Sequence, residues 1–103
     1  MPYYMVLDVE VREPEAYAEY VRRVPETIAK YGGRYLVRGG AVERLSGGWQ
    51  PERLVILEFP SRERMQEWNA SPEYQVLATI RTGATVSRAV GVPGCRPRGS
   101  PDA

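Results

Sequence analysis

Along this chain the spacing of apolar residues switches between a period of two and a period of three to four at a few sharp points. Tyr3 to Val9 is a short apolar run rich in aromatic and β-branched side chains, which predicts a strand. From Pro14, apolar residues recur at Tyr17, Tyr20, Val21, Val24, Ile28 and Tyr31 with charges between them, the spacing of an amphipathic helix. Pro14 suits its first turn, Pro25 removes a backbone donor inside it and predicts a kink or split, and Gly32-Gly33 stops it. Gly33 to Val42 and Arg53 to Phe59 read as a hairpin of two strands, with a bulge at Gly39-Gly40 and the turn near Gly47-Gly48. Ser61 caps a short helix carrying Met65 and Trp68, Ser71-Pro72-Glu73 opens a further segment with Tyr74, Leu77 and Ile80, and Thr85 to Val92 is the last strand. Residues 1–92 thus make one domain, and 93–103 form a tail with little to bury, expected to be disordered.

The order is βαββαβ, an α+β, ferredoxin-like arrangement of a four-stranded antiparallel sheet with two helices on one face. In it the first and third strands are expected side by side and parallel, and the second pairs with the third. Alternation assigns Tyr3, Met5, Leu7, Val9, Tyr35, Val37, Val55, Leu57, Phe59, Val86 and Val90 to the face under the helices. The opposite, open face receives Tyr4, Val6, Asp8, Arg34, Leu36, Arg38, Leu54, Ile56 and Glu58. Its aliphatic members would form an exposed apolar patch, so a homodimer joined through the sheet face is expected.

Composition narrows the chemistry. The 103 residues are 43% hydrophobic and 26% charged, with 14 basic against 13 acidic side chains. So balanced a charge gives no long-range field to draw nucleic acid or an anionic membrane. The third strand also lacks the stacked aromatics that RNA-binding domains of this topology carry. There is no histidine and one cysteine, Cys95, which removes His-ligated zinc or haem, the Ser/His/Asp triad and an intrachain disulfide. No metal or cofactor is called for. No apolar run suits a signal peptide or a membrane helix, so a cytoplasmic protein is expected, with no membrane partner. The three Gly-Gly pairs form neither G-x-G-x-x-G nor a P-loop.

Three ordered blocks carry a resemblance: Tyr31-Gly32-Gly33-Arg34-Tyr35-Leu36-Val37-Arg38-Gly39-Gly40, then Trp49 through Ser61, then Trp68 with Ser71-Pro72-Glu73-Tyr74-Gln75. Over roughly residues 3 to 92 the chain resembles the domain of unknown function 1330 family, within the dimeric α/β-barrel superfamily. The resemblance implies the fold and the dimer. Relatives of that family include cofactor-free monooxygenases, haem-degrading enzymes, lactone isomerases and proteins with no known activity. The chain departs from the family pattern at Asn69, where an aromatic residue often follows the tryptophan.

Asp8, Arg38 and Glu58 are the candidate chemical group on the open face. A hairpin turning near Gly47 places Arg38 about opposite Ile56, making it a diagonal neighbour of Glu58. A carboxylate in a partly apolar cleft can have its pKa raised by desolvation and move protons, while arginine holds an anionic or enolate-like group. Glu58 or Asp8 would be catalytic, Arg38 would bind substrate charge, and Tyr4 and Trp68 would shape the walls. Trp49 at the hairpin either lines this cavity or covers a partner's edge. Two readings stay open: a dimer that binds or converts a small anionic or enolisable metabolite, and a non-catalytic dimeric module whose ion pairs serve assembly.

Overall fold

In the computed structural model, which describes residues 1–95, the elements are β1 (Tyr3–Val11), α1 (Pro14–Lys30), β2 (Arg34–Arg38), β3 (Arg53–Phe59), α2 (Arg62–Ala70), α3 (Pro72–Ala84) and β4 (Thr85–Pro93). The tail expected from residue 93 lies, from residue 96 onward, outside the described residues. No helix among the described residues is long and apolar enough to cross a membrane.

The strands form one sheet in the order β2-β3-β1-β4, and each neighbouring pair is antiparallel. This corrects the expectation that β1 and β3 run parallel. The α1 crossover returns the chain so that β2 runs with β1, and the hairpin then reverses β3 against both. The helical layer has three helices rather than two. Ser71 divides its second half: the hydroxyl accepts from the Tyr74 amide at 3.3 Å and donates to the Trp68 carbonyl at 2.7 Å, so one side chain closes α2 and opens α3. Ser61 caps α2 as expected, accepting from the Arg64 amide at 3.1 Å.

The core lies between the sheet and the helices. Leu7, Val9, Val55, Leu57 and Phe59 meet Tyr17, Tyr20, Val24, Ile28, Trp68, Tyr74 and Leu77. Trp68 is only 1% exposed, with ring centroids 5.3 Å from Phe59 and 4.0 Å from Tyr74. Its indole N–H donates to Thr27 Oγ1 at 3.0 Å, which satisfies the one polar atom that burying a tryptophan brings inside.

α1 runs unbroken through Pro25, so of the kink or split predicted from sequence the split does not occur. Pro25 has no N–H for the Val21 carbonyl one turn back. That carbonyl instead accepts from Arg38 Nη2 at 3.0 Å, while the guanidinium lies 4.5 Å from the centre of the Tyr35 ring. Arg38 reaches α1 because β2 is bulged: Tyr35 pairs with Leu57, but the next partner of Ile56 is Val37, leaving Leu36 as an extra residue. The bulge shifts the phase of the strand, moving Arg38 to the helical side and Val37 to the open face. It falls at Leu36, not at Gly39-Gly40; Gly39 takes a left-handed φ of 73° where β2 ends, and its amide donates to the Leu54 carbonyl at 2.9 Å. On β4, Val86, Val90 and Val92 pair with Glu10, Val6 and Tyr4, so Val86 and Val90 belong to the open face and not under the helices.

Replacing Arg38 by Ala is expected to cost about 1 kcal/mol, seen as a lower urea midpoint, because the Val21 carbonyl loses its partner. In a Pro25→Ala background, where the helix supplies its own donor, the same change should cost much less. Equal costs in the two backgrounds would show that Arg38 does not serve this carbonyl.

Candidate functional site

The open face carries two ionic groups set in aliphatic surroundings. Tyr4 on β1 and Arg34 on β2 both sit directly opposite Glu58 on β3. Tyr4 Oη donates to Glu58 Oε2 at 2.9 Å, and Arg34 Nε donates to Oε1 at 2.6 Å. Asp8 lies opposite Arg88 on β4. Arg88 Nη2 donates to Asp8 Oδ2 at 2.8 Å, and the Trp49 indole N–H donates to the same oxygen at 3.0 Å.

These contacts decide the protonation states. The hydrogen bond from Arg34, helped by that from Tyr4, holds the Glu58 carboxyl below its usual range. The Trp49 N–H, then Arg88, does the same for Asp8. Glu58 in turn keeps the proton on the Tyr4 phenol, raising its pKa. The raised carboxyl pKa that acid–base chemistry would draw on is therefore not found: both groups are held as carboxylates by donors on either side.

Two of the five residues singled out from sequence lie elsewhere. Arg38 meets α1 and Tyr35 on the helical side, because the β2 bulge turns it over. Trp68 is in the core, where α2 presents it to Phe59 and Tyr74. Tyr4, Asp8 and Glu58 do share the open face, Tyr4 and Glu58 in one group and Asp8 in the other. Arg34 and Arg88 complete the two groups and were not assigned roles from sequence. Arg88 was legible in principle, since pairing β4 antiparallel to β1 sets it beside Asp8. Arg34 stood on the open face by alternation, but its pairing with Glu58 required the register that the bulge sets, for which Tyr35-Leu36-Val37 carries no composition signal.

A cleft of about 410 Å³ opens over this face, lined by Val6, Asp8, Trp49, Arg88, Ala89 and Val90. Its volume falls in the range of small-molecule pockets, with an apolar floor and two charged groups at one end. Trp49 arrives from the loop between β2 and β3, is 56% exposed, and is held down by its bond to Asp8. The same loop is tied to β1 where Glu52 Oε2 accepts from the Val11 amide at 2.8 Å.

A four-stranded antiparallel sheet in this order, with helices on one face, is the α+β, ferredoxin-like class. The chain belongs to the family described as Domain of unknown function (DUF1330), whose model matches residues 2–95. Among solved structures it is similar to RPA0582 of Rhodopseudomonas palustris, a protein of unknown function. The two share 25% identity and a TM-score of 0.79, over 93% of this chain and 84% of that one. SnoaB of Streptomyces nogalater, described as a cofactor-independent oxygenase, shares 13% identity and a TM-score of 0.64, over 96% and 98% of the two chains. A hypothetical Arabidopsis thaliana protein, At3g17210, shares 17% identity and a TM-score of 0.66, over 92% and 89%. At these identities the last two share the fold alone. No curated protein matches the chain.

The lowered carboxyl pKa values set a pH dependence. A group whose folded pKa is depressed stabilises the fold above its unfolded value, and that contribution is lost as pH falls through the folded value. Stability should therefore decline as pH drops below about 4. Thermal midpoints of Asp8→Asn and Glu58→Gln should fall less steeply over that range than those of the parent. Parallel slopes would mean that neither ion pair forms in solution.

Proposed function

We propose that this protein binds a small, largely apolar molecule bearing an anionic or enolate-like group in the cleft beneath Trp49, as a homodimer whose sheets face one another. The cleft itself carries the reading. Val6 and Val90 offer an apolar floor, the Trp49 indole offers a flat wall, and Arg88 offers a cation. The Arg88 side chain is 78% exposed and gives Asp8 one of its nitrogens, so other donors of its fork remain for a ligand. Tyr4 with Glu58 is a second polar station, where a substrate oxygen would take the phenol proton only by displacing Glu58 from it. Conversion of the ligand would use Asp8 or Glu58 as proton acceptor only once binding displaced Trp49, Arg34 or Tyr4 from it. The oxygenase activity named for SnoaB is one such conversion open to this fold.

The dimer is supported by what the open face exposes: Val37 at 36%, Val86 at 54%, Val90 at 65% and Val92 at 47%. Monomeric domains seldom leave so many aliphatics together in water. Asp8 and Glu58 already have partners within the chain, so a second copy could cover the face without stranding charge. The same completeness favours a second reading, a dimeric module without turnover in which the ion pairs only set the register of assembly.

Tryptophan emission separates the readings, because Trp68 is buried in the core and Trp49 is exposed. Against a metabolite library, a ligand of the cleft should quench or shift emission in the parent and leave Trp49→Phe unchanged. Arg88→Ala should bind it at least tenfold more weakly. A library without hits, with Asp8→Asn and Glu58→Gln shifting a dimer toward monomer by light scattering, would favour the assembly module. A monomeric parent would overturn both.

A further inference from the structure

On the opposite side of the sheet, between β1 and β4 below and α2 and α3 above, lies a cleft of about 270 Å³. It exists because the helical side of β4 is underfilled. Ser87, Ala89 and Gly91, opposite Val9, Leu7 and Met5, are too small to reach the helices. Gly91 is fixed by its neighbour: a Cβ there would come within 2.5 Å of the Tyr3 phenol oxygen, so the Tyr3 ring can lie across the strand only over glycine. Met5 and Met65 supply flexible apolar walls, and Tyr74 and Arg81 close the inner end.

Arg81 is the unusual member. Its Nη1 donates to Ser87 Oγ at 2.7 Å, but its Nε is buried without an acceptor. Among the described residues no carboxylate lies within ion-pairing distance of it. Its position in the last turn of α3 suits the helix dipole but provides no acceptor for that N–H. A desolvated guanidinium N–H with neither acceptor nor counter-charge is a costly arrangement, and an oxyanion is a partner that relieves it. The Nε and Nη2 edge of arginine receives a carboxylate side-on while Nη1 stays on Ser87.

We infer that this second cleft is an anion site for a small carboxylic acid with an apolar body, the carboxylate taken by Arg81 and the body lying between Met5 and Met65. It does not depend on the cleft beneath Trp49, which opens on the other face.

Benzoate is a suitable probe and benzamide its uncharged counterpart, read by the methyl signals of 13C-methyl methionine. The chain has three methionines, and Met1 lies outside the cleft. Benzoate should shift Met5 and Met65 saturably and leave Met1 unmoved, with benzamide at least tenfold weaker. Arg81→Met should weaken benzoate at least tenfold, Arg81→Lys should weaken it severalfold by losing the fork, and Arg88→Ala should leave it unchanged. The site is overturned if benzoate at millimolar concentration moves neither methyl or if benzamide binds equally well. Loss of binding in Arg88→Ala would overturn it too, by assigning the ligand to the open face. If Arg81→Met does not fold, Arg81→Lys decides, and parental affinity there also overturns the proposal.

Discussion

Every side chain on this sheet depends on one constraint: helices cover a single face, so the phase of alternation along each strand decides whether a residue meets the core or water. In β1 and β3 the phase is unbroken, and Leu7, Val9, Val55, Leu57 and Phe59 are all buried. In β2 one extra residue resets it. The same step that removes Arg38 from the open face brings Arg34 opposite Glu58 and lets Arg38 reach the carbonyl that Pro25 leaves without a donor. A proline in α1 and a bulge in β2, far apart in sequence, are thus complementary departures from ideal geometry, each resolving what the other leaves open.

That coupling also marks how far the sequence could be read. The order of elements, the caps at Ser61 and Ser71 and nearly all of the core follow from local spacing and turn chemistry. The faces of β1 and β3 follow from strict alternation. What could not be read locally required knowledge of another strand. Whether Val37 or Arg38 faces the helices depends on the register with β3, and Val86 and Val90 take their side from pairing with β1. Trp68 has the spacing of a core residue, and the hydroxyl of Thr27 settles it there by accepting its N–H.

The candidate site was half legible for the same reason. Tyr4, Asp8 and Glu58 lie on the two regular central strands and were found. Their partners Arg34 and Arg88 lie on the two outer strands, and Trp49 lies in a loop whose path depends on anchoring to β1. Without those partners the carboxylates read as candidates for raised pKa. With them, both are committed anions, and the chemistry of the face passes to the arginines, the phenol and the indole.

The two outer strands have a consequence for how the sheet meets other chains. β2 is only five residues long, is bulged, carries arginine at both ends and stops at a left-handed glycine. β4 contains Gly91 and closes on Pro93, which offers no N–H. A foreign strand would find at the β2 border a ladder too short and too kinked to continue, while at β4 only the last position lacks a donor. The protein is in this way guarded at its β2 border against lateral sheet growth, the route by which small antiparallel domains pass into fibrils.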